Sequence, residues 1–205
     1  MQKTGRLELT WVGKYDEKVI EPRILLENKS KSYGDSESGN MLIHGDNLIA
    51  LQALQQDFAG KIKCIYIDPP YNTGSAFEYY DDGLEHSEWL QMIYPRVQLL
   101  HELLADDGFL CCHIDDSESH YLKCVLDEVF GRANYLTSFY VQVRYPNKTL
   151  AEDSDYQKVI EQVLIYAKDR YKAKVNRPTE EYSIEKFIWR VNELSEGKLS
   201  LAIKR

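Results

Sequence analysis

Ile62-Lys63-Cys64-Ile65-Tyr66-Ile67-Asp68-Pro69-Pro70-Tyr71 decides how the 205-residue chain is read. An apolar run cut off by an acid and two prolines predicts a buried strand over 63–67 that ends in a loop. The prolines fix φ and lack an N–H, and each pushes the residue before it toward extended geometry. The turn is therefore stiff and rich in carbonyl acceptors. Ionised Asp68 only accepts hydrogen bonds, so its carboxylate and the Pro69 carbonyl can together hold both hydrogens of an exocyclic amino group. Tyr71 adds a flat amphipathic ring on which a planar base can stack, as enzymes that extrude a base from a duplex require. A Pro-Pro turn with no chemistry is the plainer alternative.

Working outward, Met41–His44 and Gly108–Ile114 read as two further short buried strands, bounded by Gly and Asp. Asn47 is a candidate N-cap for a helix through about Asp57, with Leu48, Leu51 and Leu54 on one face. Trp89, Met92, Ile93, Val97, Leu100 and Leu104 trace a second apolar stripe, which Pro95 is expected to kink or to restart near Tyr94. Ser117 is expected to cap a third helix with Leu122, Val125, Leu126 and Val129 inward and Gly131 just past its end. Alternating strands and helices predict a doubly wound α/β sheet with parallel strands. Asp46, Asp68 and Asp115 would then lie together beyond the carboxyl ends of the strands, where such sheets bind ligands.

Several of these segments resemble one family in its own order. Asp68-Pro69-Pro70-Tyr71 is the motif of amino-methylating DNA methyltransferases, and Asp at the first position resembles the adenine-N6 branch. The run through Asn72-Thr73-Gly74 is similar to the modification subunits of type III restriction-modification systems. So are Leu9–Lys14, Glu21–Glu27, Met41–Asn47, Asp106–Asp116, Asp127–Gly131 and Glu161–Lys168. The resemblance implies a Rossmann-like sheet that uses S-adenosylmethionine to methylate adenine N6 in double-stranded DNA. It implies Asp68, Pro69, Pro70 and Tyr71 as the catalytic loop, with Asp46 and Asp68 near the cofactor and no metal. A second modification subunit and a restriction subunit are the implied partners. Capping of the first helix is the alternative role for Asp46, and turn formation at a strand end is the alternative for Asp115 and Asp116.

In that family the loop holding S-adenosylmethionine, Phe-x-Gly-x-Gly, follows the catalytic and target-recognition parts. None of the eleven glycines here lies two residues from another. The cofactor half of the sheet is thus expected to be missing, and the chain to be a C-terminally truncated front part, inactive alone. The expected layout is an N-terminal arm and linker over 1–40, a partial catalytic domain over 41–136, and sheet-edge strands with the start of a target-recognition segment over 137–205. Within the last part, Thr137–Val143 and Gln162–Ala167 are expected to pair antiparallel, and a helix is expected from about Ile184 to Leu194.

Composition bounds the alternatives. A hydrophobic content of 43% is ordinary for a globular protein. No apolar stretch approaches membrane-spanning length and the start lacks a secretory signal, so a soluble cytoplasmic protein is expected. Cys64, Cys111, Cys112 and Cys124 show no Cys-x-x-Cys spacing and are expected to be mainly small buried hydrophobes. The net charge is −8, yet residues 1–136 hold 12 Lys and Arg against 23 Asp and Glu, while residues 137–205 hold 13 against 10. Arg144, Lys148, Lys158 and Arg177 are therefore candidate phosphate contacts, or parts of an ordinary solvated face. Phe77–Gly83 is a candidate cover over the base, hinged at Gly74 and Gly83, or a loop packed on the domain. Two other functions stay open: a non-catalytic or split methyltransferase half that works with a partner chain, and a metal-dependent hydrolase using His113, Asp115 and Asp116 with His101 or His120.

Overall fold

The computed structural model describes residues 8–16, 21, 23–72, 85–143 and 158–176, together with four short strands beyond them. Two compact units divide the chain, residues 1–173 and 174–205. The first is a four-stranded sheet with helices. Its elements run α1 (Asn47–Phe58), β1 (Ile62–Ile67), α2 (His86–Leu103), β2 (Leu104–Ile114), α3 (Ser119–Leu126), β3 (Tyr135–Gln142) and β4 (Ile160–Ala167). The strand order is β1-β2-β4-β3. Only β1 and β2 are parallel; β4 runs antiparallel to both β2 and β3. The expected α/β sheet is present, with β1 and β2 parallel and the antiparallel β3–β4 pair beside them.

One face of the sheet makes the core. Along β2, buried Leu110, Cys112 and Ile114 alternate with partly exposed residues, and Leu164 and Tyr166 of β4 join them. Helix α2 presses Trp89, Leu90, Ile93, Val97 and Leu100 onto this face, and α3 adds Leu122, Val125 and Leu126. Helical spacing brings these residues to one side, and their burial removes most of their apolar area from water. Gly108 matters at the start of β2: a Cβ there would lie 2.8 Å from the Ile62 carbonyl oxygen and 2.9 Å from that of Ala105. Only glycine lets the strands approach so closely.

Several expectations are corrected. Of the two outcomes expected at Pro95, a restart near Tyr94 does not occur: a single helix runs through it. Proline removes one backbone donor, and nearby the Arg96 guanidinium donates to the Met92 carbonyl at 2.6 Å, adding a partner within the helix. The third helix begins at Ser119, not after a Ser117 cap, because Asp115 takes the local N–H groups: its Oδ1 accepts from Ser117 N at 2.8 Å. Beyond α3 the helix widens into a π turn over Asp127–Gly131, so Gly131, at φ 82°, closes that turn.

Met41–His44 forms no strand. Met41 is 57% and Leu42 99% exposed, and among the described residues no strand pairs with the free edge of β1. An apolar run becomes a strand only where a neighbour satisfies its backbone. Of the cysteines, only Cys112 is buried, while Cys64 and Cys124 are exposed. Cys64 lies on edge strand β1, in the alternate position from the core-facing residues.

The N-terminal arm docks through a buried lysine. The Lys14 ammonium donates to Glu8 and Glu128, each at 2.9 Å, and to the Leu9 carbonyl at 2.7 Å. It lies within 5.0 Å of the Trp11 ring centroid. Gly13, at φ 86°, permits the turn; a Cβ there would collide with the Gln91 side chain.

The second unit contains β5 (Trp189–Arg190), β6 (Glu193–Ser195), β7 (Lys198–Leu199) and β8 (Ile203–Lys204), paired β5 with β8 and β6 with β7. The helix expected over 184–194 is therefore not formed in its described part, where strands pair instead. A stripe of Phe187, Ile188, Val191 and Leu194 is also compatible with short alternating strands, and periodicity over so few residues does not separate the two.

Candidate active site

Asp68 stands exposed at the carboxyl end of β1, and each residue after it is held by a different element. The indole N–H of Trp89, itself fully buried in α2, donates to the Pro70 carbonyl at 2.8 Å. The Tyr71 hydroxyl donates to Glu161 Oε2 of β4 at 3.1 Å, while its ring packs against the core. Asn72 takes φ 59°, a left-handed conformation that Asn tolerates better than most residues. Its amide donates at 2.6 Å to Glu118 Oε1, which also meets His86 Nδ1 at 2.7 Å. Glu118 is fully buried. The loop is thus clamped from three sides, by α2, by β4 and by the turn before α3.

A polar network lies beneath Tyr71. His113 Nε2 is 2.9 Å from Glu161 Oε2, close enough for attraction but off the line of a good hydrogen bond. His113 Nδ1 is 3.0 Å from the Tyr66 hydroxyl. Burial, followed by hydrogen bonding to Asp68 and the Asp68 and Glu161 charges, pushes the Tyr71 phenol far above its ordinary range. It therefore stays protonated, and it is a hydrogen-bond donor rather than a base.

Asp46 caps α1, its Oδ1 accepting from Leu48 N at 2.9 Å and Ile49 N at 3.3 Å. Of the two cap candidates, Asp46 takes the role, and the Asn47 side-chain oxygen instead accepts from Arg96 Nε at 2.6 Å. Arg96 also approaches Asp46 Oδ2 at 3.7 Å. Asp115 is buried and, with Asp116, pairs with Lys158. Burial alone would lower the Lys158 ammonium, but hydrogen bonds to both acids outweigh it and raise it. Lys158 is thus occupied by carboxylates rather than presented to phosphate.

The metal-site reading does not assemble. His113 faces Glu161, Asp115 and Asp116 face Lys158, and His101 packs edge-on to Phe130 at 4.7 Å between centroids. Among the described residues no three His, Cys, Asp or Glu side chains converge as metal ligands. Arg144, Lys148, Arg177, Gly74 and the Phe77–Gly83 segment lie outside the described residues. Trp89 was legible only as part of a core stripe, and Glu118, His86 and Glu161 carried no local signal at all.

The stiff, acid-headed loop lies beyond the carboxyl end of a sheet strand, the place where open α/β sheets bind ligands. The chain belongs to the DNA methylase family, whose sequence profile (N6_N4_Mtase) matches residues 62–198. It is 37% identical over 150 residues to the HindVI Mod subunit of Haemophilus influenzae, covering 73% of this chain and 20% of that protein. It is 34% identical over 209 residues to the type III restriction-modification StyLTI Mod subunit of Salmonella typhimurium, covering 87% and 30%. A solved structure, that of the M1.HpyAVI-SAM complex, superposes with a TM-score of 0.44 at 19% identity, covering 69% of this chain and 60% of that one. The chain spans between about a fifth and a third of the length of its curated relatives. Among the described residues, no helix is long and apolar enough to cross a membrane.

Proposed function

We propose that this chain carries the target-base pocket of an adenine-N6 DNA methyltransferase of the type III restriction-modification kind. The observation that carries the reading is the clamped Asp68-Pro69-Pro70-Tyr71 loop, with an exposed carboxylate beside a stiff acceptor-rich turn. Asp68 and the Pro69 carbonyl each accept one hydrogen of the adenine amino group, which leaves the nitrogen lone pair directed outward. Pro70, locked by Trp89, keeps that geometry, and Tyr71 supplies the stacking ring. S-adenosylmethionine, when bound, supplies the electrophilic methyl group. Exposed carboxylates suit its positive sulfonium and ribose hydroxyls, and Asp46 and Asp68 are the residues that would hold it. Formation of the new N–C bond would break the methyl–sulfur bond and release the cofactor as a neutral thioether, leaving the amino nitrogen cationic, and Asp68 would take the proton it sheds. Orientation is the protein's main contribution, since an aligned intramolecular attack gains many orders of magnitude over a free encounter.

The activity is assigned to the whole protein, with DNA, a second modification subunit and a restriction subunit as partners. A cytoplasmic setting follows from work on DNA. Similarity to named Mod subunits supports this assignment. The test is methyl transfer from labelled S-adenosylmethionine to DNA by the complete protein and by Asp68→Ala. Loss of transfer, with S-adenosylmethionine binding weakened but still measurable through Asp46, is the expected result. Asp68→Ala protein that keeps more than a small fraction of activity overturns the role of Asp68.

A further inference from the structure

The outer face of the sheet, away from the core, carries a row of polar side chains that the base pocket does not itself use. Strand register places them: Tyr66 is level with Cys111, and His113 with Val163, so Tyr66, His113 and Glu161 share one face on three neighbouring strands. They meet in order, Tyr66 hydroxyl to His113 Nδ1 at 3.0 Å, His113 Nε2 to Glu161 Oε2 at 2.9 Å, and Tyr71 hydroxyl to the same Oε2 at 3.1 Å. The side chains of His113 and Glu161 are only 16% and 20% exposed, so the part of the row that reaches Tyr71 is half-buried, while Tyr66 at its far end is exposed.

We infer that Glu161 and His113 are positioning residues that set the tilt of the Tyr71 ring beside Asp68, and through it the pose of the target base. The inference rests on the base-pocket reading above. A tyrosine ring has two side-chain torsions, so fixing both its ends fixes its plane. At one end the Pro69-Pro70 backbone is stiff and tied to Trp89; at the other the hydroxyl is tied to Glu161. Glu161 Oε2 lies in turn 2.9 Å from His113 Nε2, a close polar contact off the line of a hydrogen bond, and His113 is itself hydrogen-bonded to Tyr66. Because the phenol stays protonated, it supplies a single donor in reach of two carboxylates, Asp68 and Glu161. Removing the Glu161 charge shifts that donor toward Asp68, which both tilts the ring and occupies the carboxylate meant for the amino group. Misplacement on the order of 1 Å at a reacting centre costs on the order of 100-fold in rate.

The complete protein tests this in two ways. In single-turnover methylation, Glu161→Gln, which keeps shape and removes charge, is expected to slow transfer about 10- to 100-fold, with S-adenosylmethionine affinity unchanged. Because Glu161 acts through the Tyr71 hydroxyl, Glu161→Gln combined with Tyr71→Phe should be no slower than the slower single variant. Losses that multiply overturn the inference, since they would mean Glu161 acts by another route. Independently of activity, a fluorotyrosine at position 71 should give a fluorine resonance that shifts and broadens in Glu161→Gln and, less strongly, in His113→Asn. An unchanged resonance overturns the inference. If the resonance responds to these substitutions in this way while the wild-type protein methylates no DNA, the base-pocket reading fails instead.

Discussion

Two stretches of this chain share a local pattern, an apolar run followed by a turn with an aspartate, and they fold differently. Ile62–Ile67 leads to Asp68 and becomes a sheet strand, whereas Met41–His44 leads to Gly45-Asp46 and stays out of the sheet. After the first, the loop is clamped by Trp89, Glu161 and Glu118. Around the second, the side chains of Met41 and Leu42 point into solvent, and the main fixed point is the Asp46 carboxylate on the start of α1. The difference teaches that an apolar run specifies a strand only together with its neighbours. β1 has β2 beside it; residues 41–44 have no partner strand among the described residues.

Substitutions can break or sharpen that contrast. Trp89→Ala should have the largest effect, about 3–5 kcal/mol of lost stability by chemical denaturation, because it empties a fully buried site and frees the Pro70 carbonyl. A loss under about 1 kcal/mol would mean that α2 does not hold the loop.

The packed half should also respond to acid. Burial, and then the nearby Lys168 charge, lower the His101 imidazole to about 4. Its unfolded value is near 6.5, so the unfolded chain takes up the proton first. The stabilisation is complete above pH 6.5 and is lost as pH falls toward 4. Allowing for partial exposure, it amounts to about 1–2 kcal/mol. Melting temperatures measured between pH 7 and 4 should fall less steeply in His101→Gln than in the wild type.

On the solvated side, Asp46→Ala should cost about 1 kcal/mol, the usual value of a helix N-cap, and Asp46→Asn much less. Equal losses for both variants would show that charge, through Arg96, matters more than capping. The smallest effect is expected for Leu42→Ala, within about 0.5 kcal/mol, as for other exposed positions. A larger loss would mean that this stretch is packed in solution and that the contrast fails.

What the sequence disclosed follows the range of the interactions involved. Helix stripes were readable because their spacing is local: Trp89, Ile93, Val97 and Leu100 of α2 and Leu122, Val125 and Leu126 of α3 are buried, while Leu104 falls in β2 and Met92 and Val129 are only partly buried. The Asp68–Tyr71 loop was readable because proline and aspartate constrain backbone and chemistry in place. Ser117 lost the capping role to Asp115, a choice between near neighbours that residue type alone does not settle. Trp89 reaching Pro70 across 19 residues, Asn72 reaching Glu118 across 46 and Tyr71 reaching Glu161 across 90 depend on the finished fold. The antiparallel pairing of β3 with β4 was expected, but that β4 and not β3 would lie against β2 was not, because hydrophobic alternation gives a strand's faces and not its neighbours.

The junction between α2 and β2 has a consequence for how this gene can vary. Leu103 ends the helix and Leu104 begins the strand, with no loop between them. One added codon there would turn the helix by a little over a quarter of a turn relative to the strand, or invert the inward and outward faces of β2. Codon changes at this point are constrained by size and polarity, but insertions and deletions are constrained absolutely. Gains and losses of length should therefore be found in segments such as Ser30–Asn40, where the chain runs exposed between its fixed elements.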